Sequence, residues 1–263
     1  FQMQHSNLKL NVLGNVRKWT DPKRLQSDIT IKEIYANDKI LNQLPIDSIN
    51  WPAFVQLKGN VKGDMNRLQT DLALHSGYGD MRMNGWVNQL TEPTKWEYDV
   101  TVSTTGIATG KWIYKEDIYG DFSGSLHVAG NGGTDLKKAN VVLDLQGDYL
   151  IWEDRNVGPF YVKGNWNKCD ANINAHLEDS LGIITIQSEL QSVLDNPVGT
   201  AKIQVEKLDL QALDVYSSTH LLSFNTDVDI RSLQPESLDA EAIIHGISME
   251  TDLEQFALDT TWI

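Results

Sequence analysis

The sequence predicts an all-β, mostly antiparallel protein, and three observations carry that expectation. From Leu68 to Val102 apolar residues recur at every second position, interrupted only at turn-forming stretches. The same grammar repeats downstream, giving about fifteen short strands at the ~8–12-residue spacing of a β meander. No long amphipathic helix separates them, which argues against alternating strands and helices.

In the central stretch, Leu68, Leu72 and Leu74 alternate with Gln69, Asp71 and Ala73. Ser76–Asp80 reads as a turn because its glycines take positive φ without steric cost. Met81, Met83 and Val87 alternate next. Gln89–Lys95 breaks the pattern around Pro93, and Tyr98, Val100 and Val102 resume it. Upstream, Leu8, Leu10 and Val12 predict a first strand ending near Gly14. A turn follows around Pro22, then an apolar run over 29–35. Ile34, Ile40, Leu41 and Leu44 have helical spacing, so a short helix is expected over 36–44, ended by Pro45. Phe54–Val61 is again strand-like.

Downstream, strands are expected at 112–119, 122–128, 141–151, 160–166, 173–177, 184–190 and 201–205, with a turn at 130–134. A second short helix is expected over 208–216. Alternation returns at 222–230, 238–244, 247–251 and 256–260. No low-complexity linker or shift in composition marks a boundary, so residues 1–263 read as one continuous run of β repeats. The chain begins Phe1-Gln2-Met3 and stops inside a strand-like pattern, and the expectation is a piece of something longer.

Charge and chemistry remove several functional classes. With 22 basic and 36 acidic residues the formal net charge is −14, opposite to what phosphate recognition needs. The single cysteine, Cys169, excludes a disulfide framework. No window approaches the ~18 apolar residues of a membrane-spanning helix. The six histidines lack metal-ligand spacing, and no nucleophile elbow or phosphate loop is present. No cofactor, metal or catalytic activity is therefore expected. Trp86, Trp96, Trp112, Trp152 and Trp166 remain as candidate sugar-stacking platforms, weighed against ordinary packing.

The phrase Phe122–Gly130, the stretch 136–145 and the Gly158-Pro159-Phe160 turn resemble the recurring β repeat of the AsmA-like superfamily. Within it, the chain resembles the TamB-type translocation and assembly module family in its Bacteroidetes-like form. Residues 203–213 and 224–238 share its strand–short-helix–strand grammar, and the likeness covers most of the chain from about residue 50. The resemblance implies a β-taco, a long curled sheet whose open groove is lined by apolar side chains. It further implies a periplasmic segment of an inner-membrane-anchored protein that carries phospholipid between membranes and supports outer-membrane protein assembly. Acyl chains and a barrel protein of the BamA/TamA assembly-factor type would be the partners. On that reading Leu72, Leu74, Met81, Met83, Tyr98, Val100, Val102, Val141, Leu143 and Leu145 line the groove. From the residues alone, an ordinary β-sandwich that binds glycan or serves as a structural periplasmic module stays open.

Overall fold

The computed structural model describes residues 1–46, 48–153, 155–234 and 237–262. It is all-β and antiparallel, with two four-residue α-helices, and divides into two compact units. Residues 1–134 and 147–156 form the first; 135–146 and 157–263 form the second.

The first unit contains β1 (Gln2–Gln4), β2 (Leu8–Arg17), β3 (Gln26–Asn37), β4 (Phe54–Asp64), β5 (Arg67–Ser76), β6 (Gly79–Asn88), β7 (Glu97–Ala108) and β8 (Tyr119–Asn131). Each pairs antiparallel with the next. Helix α1 (Asp38–Leu41) joins β3 to β4, and α2 (Thr109–Trp112) joins β7 to β8. Strand β9 (Asn140–Trp152) contributes its second half here and its first half to the second unit; β10 (Arg155–Val157) follows it. The second unit continues with β11 (Phe160–Asn167), β12 (Asp170–Asp179), β13 (Gly182–Gln191), β14 (Val198–Asp209), β15 (His220–Gln234), β16 (Ser237–Thr251) and β17 (Gln255–Trp262). From β11 onward consecutive strands again pair antiparallel.

Short polar residues close the turns by binding backbone locally. Asp64 accepts from the amides of Asn66 (2.8 Å) and Arg67 (3.1 Å) between β4 and β5. The Ser76 hydroxyl accepts from Tyr78 N–H and donates to the Gly79 carbonyl between β5 and β6.

Two sequence expectations are corrected. Residues 208–216 are not a helix: β14 runs to Asp209, whose carboxylate accepts from the Gln211 and Ala212 amides. Asp214 then takes a positive φ of 60°, which ends any helical continuation. Nor is 112–119 a strand. Trp112 closes α2, Tyr114 sits at φ 56°, and Lys115 and Tyr119 bond back to Gly110 and Lys115 as turns before β8 begins. The expected helix over 36–44 is present in shortened form as α1, because β3 extends through Asn37.

Bulges keep the two faces of the sheet distinct. In β3, Ile29 and Ile31 are odd-numbered apolar positions, whereas Ile34 and Ala36 are even-numbered. The register shifts between Ile31 and Ile34, so all four pair with apolar-face positions of β4. In β7 the shift falls between Thr104 and Ile107 and brings Ile107 opposite Phe122. Gly106 occupies this bulge at φ 56°, its amide donating to the Ser123 hydroxyl at 2.7 Å. In β14 the change from Val205 to Leu208 is made through Lys207 at φ 52°.

Fully buried apolar side chains are few among the described residues. In the first unit Ala36, Leu41, Pro52, Ile107 and Ala108 gather where α1 and α2 attach. Ala139, Val205 and Leu210 are buried in the second. In β5 and the first half of β6 the strands are half-buried on one face and exposed on the other, whereas β7 is half-buried on both.

Gly59 tests how tightly adjacent strands are drawn together. It lies at φ 142° opposite Leu72, and an added Cβ would sit 2.0 Å from the Asp71 carbonyl oxygen. The backbone of β5 cannot yield without breaking the ladder. Gly59→Ala is expected to cost at least ~1–3 kcal/mol of strain, read as a lower thermal midpoint by circular dichroism; an unchanged midpoint would contradict this register.

Candidate functional site: an apolar sheet face

Strand pairing in the first unit assembles side chains distant in sequence into continuous rows. One row runs Leu10, Ile34, Leu57, Leu74, Met81, Thr104 across β2–β7. The next runs Val12, Ile31, Gly59, Leu72, Met83, Val102, Leu126. A third runs Gly14, Ile29, Val61, Thr70, Gly85, Val100, Val128, and a fourth ends Leu68, Val87, Tyr98, Gly130. Residues two apart on a strand share a face, so these rows are neighbours on one surface.

Seven of the ten lining candidates (Leu72, Leu74, Met81, Met83, Tyr98, Val100 and Val102) therefore share one face of the first unit. Val141, Leu143 and Leu145 lie on the first half of β9, in the second unit. There Leu143 lies beside Gly164, whose added Cβ would stand 3.7 Å from it. Gly164 pairs through Ile173 and Ser188 to Ala201, Val228 and Ala242. Leu143, Gly164, Ile173 and Ser188 take part in a concavity of about 430 Å³. All ten candidates are half-buried and none is fully buried. A closed core between two sheets would bring such side chains near complete burial.

Tyr98 reports the character of this surface. Partial removal from water pushes its phenol above the ordinary tyrosine range.

The opposite face is polar. In the first unit its rows include Gln56, His75, Asp80, Thr105 and Asn60, Asp71, Asn84, Thr101, His127. Cross-strand pairs brace it: Arg82 with Asp71 at 3.1 Å, His127 with Asp99 at 3.0 Å, and His75 with Asp80. In the second unit His245 faces Asp227 at 3.7 Å, and Arg231 meets Asp229, Asp239 and Glu241. These exposed pairs order side chains more than they stabilise.

The tryptophans do not form one platform. Trp86 lies on the polar face beneath the Arg67 guanidinium, 4.4 Å from its centroid. Trp96 and Trp166 tie their indoles to the carbonyls of Leu90 and Leu136. Trp152 is exposed at the end of β9. Trp112 packs edge-on against Trp51 and Tyr78, with centroids at 6.3 and 5.7 Å. That aromatic group, unforeseen from the sequence, joins the α1–β4 connection to α2. The signal available was Trp51-Pro52 beside a loop, but nothing in the spacing tied it to Trp112.

No family model, curated protein or solved structure matches the chain.

Two measurements check this face. Val100→Asp places a charge that can reach water, so its cost should be about 1–2 kcal/mol, below the ~3–5 kcal/mol of an unpaired buried charge; a cost in the upper range by denaturant unfolding would indicate a closed core. Tyr98 should ionise later than exposed tyrosines in an alkaline absorbance titration. Its neutral phenol favours the folded state in full below the unfolded tyrosine pKa of about 10, and that contribution disappears as pH rises through the higher folded pKa. Tyr98→Phe should remove this part of the alkaline loss of stability.

Proposed function

We propose that the apolar face holds phospholipid acyl chains, and that the chain is a segment of an envelope protein that carries lipid between inner and outer membranes. The observation that carries this reading is the set of largely apolar rows across β2–β8, half-buried except at Gly14, interrupted only by glycines and by Thr70 and Thr104, and backed by a polar face. Each acyl methylene moved from water onto such a surface gains up to ~0.8 kcal/mol, so incomplete enclosure still holds a chain. The rows present similar side chains with no charged group among them, which suits movement along the face better than recognition of one headgroup.

The AsmA-like resemblance adds the setting: the periplasm, inner-membrane anchorage, support of outer-membrane protein assembly and a BamA/TamA-type barrel partner. The glycan-binding alternative draws less support, because its candidate tryptophans are dispersed over different surroundings.

A photo-crosslinking residue at Val100 should form phospholipid adducts when the protein is expressed in a double-membraned bacterium. The same residue at Asn84, on the polar face of the neighbouring strand, should not. Equal labelling at both positions, or none at Val100, would overturn the reading.

A further inference from the structure

The two helices belong to a pair of segments attached at one end of the apolar face of the first unit. One runs from α1 to the start of β4, the other from α2 to the start of β8. They are tied to each other directly. The Asn50 amide donates to the Trp112 carbonyl at 3.0 Å, and the Tyr114 hydroxyl donates to the Ile49 carbonyl at 3.4 Å. Their inward residues are the buried Leu41 and Pro52, with Trp51 and Trp112 edge to edge. Ala36 and Ile107, at the ends of β3 and β7, are buried in the same region.

Both segments also carry exposed apolar side chains. Leu44 is 43% exposed, Ile46 41%, Ile113 52% and Tyr114 59%. Around them charges nearly cancel: Asp38 adjoins Lys39, and Lys111 and Lys115 offset Glu116 and Asp117. Asp47 follows Ile46 in the sequence and is outside the described residues. The chain as a whole carries −14. Branched aliphatic and tyrosine side chains at a nearly neutral site match the interfacial layer of a zwitterionic bilayer, where apolar stems enter the headgroup region without charge repulsion.

The indole N–H groups of both Trp51 and Trp112 are buried without a partner, as is the Thr104 hydroxyl at the β7 end of the row that begins at Leu10. Polar groups so placed oppose the closed arrangement, because each would regain hydrogen bonds on exposure. Parting of the two segments would relieve these unpartnered groups.

We propose that the α1 and α2 segments form a docking surface for a zwitterionic phospholipid bilayer and the gate through which lipid reaches the apolar face. The gating half rests on the lipid reading above; the docking half does not. Contact with the bilayer engages Leu44, Ile46, Ile113 and Tyr114. Parting of the two segments hydrates or lipidates both indoles and prolongs the apolar rows through Ala36 and Ile107.

The test pairs Leu44→Ser/Ile113→Ser with the unaltered chain. Both substituted side chains are exposed, so the thermal midpoint should be unchanged. Flotation with phosphatidylcholine vesicles should fall at least fivefold in the variant. Crosslinking from Val100 to vesicle lipid should fall in parallel, while crosslinking to monomeric short-chain phosphatidylcholine stays within twofold. If neither protein floats, if both float equally, or if flotation requires anionic lipid, the docking surface is overturned. If vesicle crosslinking persists undiminished in the variant, the gate is overturned. If flotation depends on Leu44 and Ile113 but Val100 crosslinks to neither form of lipid, the docking surface stands and the lipid reading of the face fails.

Discussion

Strand register is the constraint on which everything else in this molecule depends. Side chains alternate strictly across a β-strand, so a slip of one residue in any ladder would send its leucines and methionines into water and its aspartates onto the apolar face. The rows hold because each ladder is specified twice. Apolar positions match apolar positions, as Leu72 matches Met83 and Met83 matches Val102, and short side chains such as Asp64 and Ser76 fix the turns that set the pairing. Arg82 reaching across to Asp71 adds a penalty for slippage on the polar side.

Where the chain could not keep a strict period of two, it inserted single residues. The bulges at Ile31/Ile34, Thr104/Ile107 and Val205/Leu208 each let the apolar residues on both sides of a parity change stay on one surface. This explains which parts were legible from sequence. The all-β class and the central hairpins were legible because 68–102 alternates without interruption within each strand. The long β16 read as two strands because the apolar set moves from Ala240, Ala242 and Ile244 to Ile247 and Met249. Near the bulge Gly246 adopts φ 62° and the ladder continues. Alternation that reverses parity looks like a break when only one strand is read.

The alternation that put the ten candidate positions on an apolar side of their strands was legible for the same reason, but their grouping was not. Seven meet on one face because β5, β6 and β7 are consecutive, whereas Val141, Leu143 and Leu145 belong to the half of β9 that packs with β11. The helices were less legible. Four residues cannot establish a helical period, and α2 is held by Gly110, by the Thr109 hydroxyl donating to Gly120, and by aromatic contacts from Trp51 and Tyr78. Contacts between residues so distant in sequence as Trp51 and Trp112 leave no mark in local pattern.

The meander within each unit has a mechanical consequence. From β1 to β8 and from β11 to β17 the main strand contacts join strands that follow one another in the chain, so the free energy of such a strand depends chiefly on its two neighbours. A ladder of this kind has no central keystone. Load applied along the chain is borne by one interface at a time, and damage stays local until it uncovers the next ladder. The same arrangement lets strands be added or removed in pairs without redesigning those that remain, so the length of the surface can change while its cross-section stays constant.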